Sequence, residues 1–311
     1  MKRYLTIDGG TTNTRVSLTE NRAVVRTVKI PIGARKSIDG TGALKAALSD
    51  AIKELLSAFN LTENDVDAVL ASGMITSEFG LINLPHLIAP VGLKELGAGI
   101  KTVNIPEVCS LPINFIPGVK TLGTLDETDM MRGEETEIMG TLDSSYGECV
   151  YVLPGSHSKI IFTDEDGRIT KFSTTLTGEM LASLSDGTIL RDAVSLSCEE
   201  LDTQSLEEGF LYARKKGINE ALFKTRILKN LFGKGESECY SFFLGSVLSA
   251  EIDTIAHSPV KVAVVGGKRQ IKMAIAHLLN NFSDKKVVTL SDDTVDASTT
   301  LGMIRIFENE K

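Results

Sequence analysis

Paired cysteines, basic blocks and long apolar runs are what this chain lacks, and each gap argues against a class of function. The four cysteines, Cys109, Cys149, Cys198 and Cys239, lie far apart, with no CxxC pair and no histidine at ligand spacing. That pattern argues against a zinc site or a disulfide framework and fits a reducing compartment, with the cytoplasm as the default. Lysine and arginine number 33 against 41 acidic residues, a formal charge of −8 with no basic block, so nucleic acid and anionic membrane surfaces are poor partners. No apolar stretch approaches the ~20 residues that a membrane span needs. Met1-Lys2-Arg3-Tyr4 runs directly into a strand pattern without the apolar core of a signal peptide. Two nucleotide motifs are also missing. No GxGxxG follows a strand, and no GxxxxGK precedes Ser or Thr, which removes the dinucleotide-binding and P-loop readings. What remains is 311 residues at 42% hydrophobic, enough for a sizeable core and a length that suggests two domains.

The richest stretch is Asp8-Gly9-Gly10-Thr11-Thr12-Asn13-Thr14-Arg15, between the strand-like runs 4–7 and 16–19. A strand ending in a carboxylate, two glycines and a row of hydroxyls lets backbone N–H groups approach an anion closely. Thr11, Thr12 and Asn13 add short donors and Arg15 a fixed positive charge. Asp8 suits a phosphate site once a divalent cation lies between them, so the stretch reads as a Mg²⁺–nucleotide phosphate loop. The competing reading is a Gly-Gly hairpin turn with incidental threonines.

Periodicity predicts strands at 3–8, 14–20 and 23–30, a helix over 43–59 and a buried strand over 66–71 ending in Ser72-Gly73-Met74. Residues 81–118, rich in Pro and Gly, read as a loop-rich insertion in which a substrate pocket could be built. From Cys149 the opening pattern recurs: a strand, the turn Pro154-Gly155-Ser156-His157-Ser158-Lys159, a second strand, a turn at 164–167 and a third strand near 169–172. Identities do not repeat but the architecture does, which predicts two similar domains facing one cleft, each aiming a polar turn the same way. Further helices are predicted at 177–194, 205–216, 236–257, 270–281 and 297–308, with strands at 260–265 and 287–290.

Chemistry-bearing residues gather at 126–140. With a helix starting at 133, Glu134 and Glu137 share a face while Glu135 points elsewhere. One of these carboxylates could accept a proton from a substrate hydroxyl, and Arg132 could bind an acid group bidentately, against the plain reading of an acidic first turn. The 154–159 turn offers a glycine, two serine hydroxyls, a histidine and a lysine, either a second phosphate cradle or an ordinary hairpin turn. Gly266-Gly267, between a strand and a helix, could let an adenine lie against backbone. Thr177 or Ser173 reads as a helix N-cap, while His86, His257 and His277 read as structural.

The strings Asp8–Arg15, Ala71-Ser-Gly-Met-Ile-Thr-Ser77, Met131-Arg-Gly-Glu-Glu-Thr136, Pro154–Lys159 and Thr177-Gly-Glu-Met180 resemble those of 2-dehydro-3-deoxygalactonokinases. That family sits within the actin/hexokinase/Hsp70-like sugar kinase superfamily. The likeness runs from residue 4 to about 183 and is fainter beyond. It implies an α/β fold of two ribonuclease-H-like domains facing an ATP cleft, the actin-like ATPase architecture. An N-terminal domain over 1–140 would carry the substrate-binding insertion, and a C-terminal domain over 141–311 the second phosphate loop and adenosine motif. It further implies ATP and Mg²⁺ as cofactors and phosphoryl transfer to the 6-hydroxyl of 2-dehydro-3-deoxy-D-galactonate in galactonate catabolism. Asp8 would organise the metal. Gly9, Gly10, Thr11, Thr12, Asn13 and Arg15 would form the first phosphate loop, and Gly155, Ser156, His157 and Ser158 the second. Gly266 and Gly267 would form the adenosine motif. Ser72, Met74, Thr76, Arg132 and Lys159 would meet the sugar acid. For the base, related kinases place Asp in a Gly-Asp pair; here Gly133-Glu134 stands at that place, and Asp129 is the competitor. The alternatives are a kinase for a related sugar or 2-keto-3-deoxy acid, or a non-catalytic nucleotide or sugar sensor of the same fold. Sequence leaves the oligomeric state unread and a homodimer open.

Overall fold

The computed structural model describes residues 1–37, 40–267 and 269–309. The chain divides into two compact units, the first comprising Met1–Ser144, Asp166–Lys171 and Asp293–Lys311, the second Ser145–Glu165 and Phe172–Asp292.

The first unit opens with β1 (Arg3–Gly9), β2 (Thr14–Glu20) and β3 (Ala23–Ile30), joined as an antiparallel meander. Asn21 and Arg22, both at positive φ (47° and 72°), make the β2–β3 turn, the backbone hand that matches strand twist. Helix α1 (Gly42–Ala58) turns Leu44, Leu48, Ile52, Leu55 and Leu56 inward, as its spacing predicts. Strand β4 (Ala68–Gly73), buried throughout, pairs in parallel with β1 and brings Ser72 beside Asp8 in register. Then follow β5 (Leu87–Ile88), α2 (Leu93–Ala98), β6 (Lys101–Val103), β7 (Ile113–Phe115), β8 (Val119–Thr121), β9 (Asp129–Met131) and α3 (Glu134–Thr141). The main sheet runs β3-β2-β1-β4-β7-β6, and β5-β8-β9 form a small separate sheet. The stretch 81–118 is therefore not simply loop: it extends the main sheet by two strands, β6 and β7, and supplies one, β5, of the three in the small sheet.

The second unit holds β10 (Cys149–Leu153), β11 (Ser158–Thr163), β12 (Ile169–Thr175), α4 (Thr177–Gly187), α5 (Thr203–Lys216), α6 (Ile218–Phe232), α7 (Glu236–Ala256), β13 (Val262–Val265), α8 (Arg269–Phe282) and β14 (Lys286–Thr289). Residues 169–171 of β12 cluster with the first unit. The sheet order β12-β11-β10-β13-β14, antiparallel on one side of β10 and parallel on the other, repeats the β3-β2-β1-β4-β7 order of the first unit. Helix α7 is buried on nearly every face, packing Phe243, Leu244, Leu248 and Ile252 into the core of this unit.

The last helix, α9 (Asp292–Glu308), belongs from Asp293 onward to the first unit. It approaches α3 so closely that a Cβ at Gly302 would collide with the Thr136 carbonyl, and one at Gly140 with the Ser298 carbonyl. At its end Glu308 accepts from Lys2 Nζ and Tyr4 OH, each at 2.7 Å, and from Arg22. A single cut at 140/141 thus differs from the observed division, because these contacts draw the C-terminal helix back to the N-terminal sheet. Among the described residues no helix is long and apolar enough to cross a membrane.

Candidate active site

In the first unit the β1–β2 turn is strapped from outside by the segment after β3. Ala34 N donates to the Gly10 carbonyl at 3.1 Å and Arg35 N to the Thr11 carbonyl at 3.0 Å, while Gly10 N closes the turn on the Asn13 carbonyl at 2.9 Å. With these carbonyls tied down, the turn can present the N–H groups of Thr11, Thr12 and Asn13. Thr11 and Thr12 are exposed, and Asn13 Nδ2 donates to Thr12 Oγ1 at 3.1 Å. Gly9 is pressed on Ile75, whose Cβ lies 2.7 Å from where a glycine Cβ would stand.

Asp8 ends β1, and Arg15 Nη1 lies 3.6 Å from its Oδ2 across the hairpin. Burial raises the Asp8 carboxyl above its ordinary value; Arg15 pulls it back and Glu134 pushes it up again. Glu137, on the same face of α3 as Glu134, is pushed up to about 8 by burial and by the charges of Glu134 and Asp8. Asp8, Glu134 and Glu137 thus share one electrostatic neighbourhood. Glu137 was singled out in the sequence only as a face-mate of Glu134; nothing in the linear pattern showed its nearness to Asp8. Glu135 points elsewhere, as expected. It is fully buried, both its oxygens accept from Gly133 N at 2.8 and 2.9 Å, and burial, with Glu134, pushes it up to about 8. Gly133 caps α3 at φ 118°, a conformation suited to glycine.

Asp129 lies on β9 in the small sheet, with Oδ1 accepting from Met130 N at 2.6 Å. Arg132 spends its terminal N–H groups inside the unit. Nη1 donates to the Thr76 carbonyl at 2.7 Å and to Thr76 Oγ1 at 2.6 Å, and Nη2 to the Leu84 carbonyl at 2.9 Å, with His86 Nδ1 at 3.3 Å. No carboxylate forms an ion pair with it among the described residues, and burial lowers its pKa. Burial and the Arg132 charge also hold His86 down to about 4, so this imidazole is neutral beside the guanidinium. Ser72 and Thr76 are fully buried, Ser72 Oγ accepting from Thr136 Oγ1 at 3.2 Å. Met74 is half-buried.

In the second unit the turn 154–158 is gripped on two sides. A Cβ at Gly178, in the first turn of α4, would strike the Gly155 carbonyl, and one at Gly267 (φ 86°) would strike the Pro154 ring. Glu179 N donates to the Ser156 carbonyl at 3.1 Å, and His157 Nε2 lies 3.2 Å from Glu179 Oε1. Gly266 N donates to the Val152 carbonyl at 2.9 Å. The second polar turn and the Gly266-Gly267 turn are therefore neighbours. Gly155, Ser156 and His157 are exposed, whereas Ser158 and Lys159 are buried, Lys159 Nζ reaching Thr174 Oγ1 at 2.5 Å. The expected cap is absent: Leu176 is the N-cap residue, without a side-chain bond, and the Thr177 hydroxyl goes to Glu251 of α7. His257 and His277 are held by Asp253 and Glu207.

Two sheets of one order, each with a polar turn after its first strand, define a protein of the actin-like ATPase and sugar-kinase class, an α/β fold of two ribonuclease-H-like units. Solved structures share that fold. One is a Sinorhizobium meliloti protein proposed to be a 2-dehydro-3-deoxygalactonokinase, with a TM-score of 0.79 at 20% identity over 98% of each chain. Another is the ligand-bound xylulose kinase of Lactobacillus acidophilus, with a TM-score of 0.51 at 10% identity over 99% of this chain and 89% of that one. The chain belongs to the 2-keto-3-deoxy-galactonokinase family, whose model matches residues 8–303. A curated protein of Rhizobium meliloti (strain 1021), DgoK1, named as a candidate 2-dehydro-3-deoxygalactonokinase, is 29% identical over 194 residues. That match covers 62% of this chain and 59% of DgoK1, less than two thirds of the curated relative's length.

Proposed function

We propose that this chain transfers the γ-phosphoryl group of ATP to the 6-hydroxyl of 2-keto-3-deoxy-D-galactonate, a step of galactonate breakdown. The observation that carries the reading is the coupling of Asp8 to Glu134: an acid near the end of β1, beside a turn presenting N–H groups, lies within electrostatic reach of a second acid, whose Oε2 accepts from Arg132 N at 3.1 Å. Family membership over 8–303 supports the substrate class.

The Glu134 charge raises the proton affinity of both Asp8 and Glu137, and a divalent cation at Asp8 would relieve that repulsion. Among the described residues no ready-made cage of three or more His, Cys, Asp or Glu ligands occurs. Mg²⁺ needs none, since it is held by one or two carboxylates together with phosphate oxygens and water. Asp8 would hold it, and bound there it would neutralise phosphate charge as the γ-group transfers. In the first unit Gly9, Gly10, Thr11, Thr12, Asn13 and Arg15 would then bind phosphate oxygens. In the second unit Gly155, Ser156, His157 and Ser158 would do the same, and Gly266 and Gly267 would meet the adenosine.

Glu134 is the base in this reading, because it couples to Asp8 whereas Asp129 sits in the small sheet. It accepts the sugar hydroxyl proton as the oxygen bonds to phosphorus. Arg132, a half-buried cation with which no carboxylate forms an ion pair among the described residues, attracts the sugar-acid carboxylate, with its Nε–H the donor not committed to Thr76, Leu84 or His86. Ser72 and Thr76 act from behind, holding Thr136 and Arg132, while Met74 and Lys159 serve the sugar side. Four free cysteines support a cytoplasmic setting.

The test is ADP release on a panel of aldonic and 2-keto-3-deoxy acids with neutral hexoses as controls. Rates at least tenfold higher for the 2-keto-3-deoxy acids are expected. Equal rates with glucose would reject the acid-substrate assignment, and ATP binding without ADP release on any sugar acid would reject the kinase reading.

A further inference from the structure

Glu251 is an acid in the middle of α7, 3% exposed, in a helix otherwise buried by apolar contacts. No cation pairs with it among the described residues. Its Oε1 accepts from two hydroxyls, Thr175 at the end of β12 and Thr177 at the start of α4, while Oε2 is buried with no partner. A buried carboxylate with one unsatisfied oxygen is a costly choice where a leucine would pack. Something must offset it.

What the two threonines hold is the β12–α4 elbow, and the next residue, Gly178, presses on the Gly155 carbonyl. One residue further, Glu179 N donates to the Ser156 carbonyl. A line of contacts therefore runs from Glu251 through Thr177 and the first turn of α4 to the turn 154–158. Two hydroxyl protons entering one carboxylate oxygen fix both threonine rotamers at once.

We infer that Glu251 is a positioning residue for nucleotide: its clamp on Thr175 and Thr177 sets where the first turn of α4 holds the Gly155–Ser158 turn against the phosphates. The inference rests on the reading of that turn as a phosphate loop. It needs no charge on Glu251, only an acceptor for two hydroxyls. Glu251→Gln keeps such an acceptor in the amide oxygen, whereas Glu251→Ala and Thr177→Val do not.

The experiment is Mg²⁺-ADP binding by calorimetry on the full chain, with no sugar present, alongside thermal unfolding and KM values for ATP and for the best sugar acid. Glu251→Ala and Thr177→Val are expected to weaken ADP binding about tenfold and raise KM for ATP alike, leaving the sugar-acid KM within about twofold. Glu251→Gln should bind within about threefold of the wild type. Thr177→Val, the milder change, keeps the test open where Glu251→Ala does not fold. Unchanged ADP affinity in Thr177→Val, equal losses for both substrates, or a Gln variant as weak as the Ala variant would overturn the inference. Wild-type protein that binds no ADP would overturn the phosphate-loop reading itself, and the inference with it.

Discussion

The two units build the same sheet order and then equip its first turn differently. In the first, the turn after β1 is tied by its carbonyls to residues 34 and 35, and three acids lie in one electrostatic neighbourhood around the strand end. In the second, the turn after β10 is held by α4 and by the Gly266-Gly267 turn, and its own side chains are hydroxyls, a histidine and a buried lysine. The repeated scaffold explains why both turns lie at equivalent strand ends. Under the proposed mechanism the difference in chemistry would divide the labour: the acids of the first unit would manage metal and proton, and the neutral and cationic groups of the second turn would hold phosphate.

Substitutions can break or sharpen that division. The largest effect is expected at Glu134, where Glu134→Gln should lower kcat about 10²–10⁴-fold, the usual share of a general base, while Asp129→Asn stays within a few-fold. The reverse ranking, measured by coupled ADP formation, would move the base to the small sheet. In the second unit, Ser156→Ala should raise KM for ATP about tenfold with kcat nearly kept, because it removes one donor to a charged ligand rather than a reacting group. A fall in kcat as deep as that of Glu134→Gln would erase the asymmetry.

The smallest effect concerns how the first unit is closed. Glu308 is pushed up by burial, but its bonds from Lys2, Tyr4 and Arg22 outweigh this and hold it down to about 2. A depressed carboxyl contributes stability above its unfolded value of 4.5, and that contribution disappears as pH falls through about 2. Glu308→Gln should therefore cost about 1–2 kcal/mol at pH 7, after discounting for solvent screening, and almost nothing near pH 2. Denaturant melts at the two pH values check this. An equal cost at both would mean that packing, not charge, fastens α9.

Much of this was legible beforehand because it is local. The three opening strands, α1 and the recurrence from Cys149 follow from alternation, helical spacing and turn residues. The sharing of a face by Glu134 and Glu137 is helix geometry. What was not legible depends on distant partners. Helix α6, which no sequence expectation covered, buries only Ala221 and Thr225. The small sheet is made of strands two or three residues long, whose pairing is set by tertiary contact. Arg132 reads as a free clamp until the carbonyls of Thr76 and Leu84 are seen to occupy it, and Thr177 reads as a cap until Glu251 appears. The return of α9 to the first sheet turns on glycines 140 and 302, whose role is visible only once the two helices meet.

The central claim is that Asp8 serves the reaction and not the fold. ADP formation from 2-keto-3-deoxy-D-galactonate by purified Asp8→Asn protein, with its unfolding midpoint, tests this most directly. The account predicts kcat lower by about 10²–10³-fold, with a midpoint unchanged or slightly raised, because the replaced carboxyl is one the fold already disfavours as an anion. Turnover close to the wild type would contradict it.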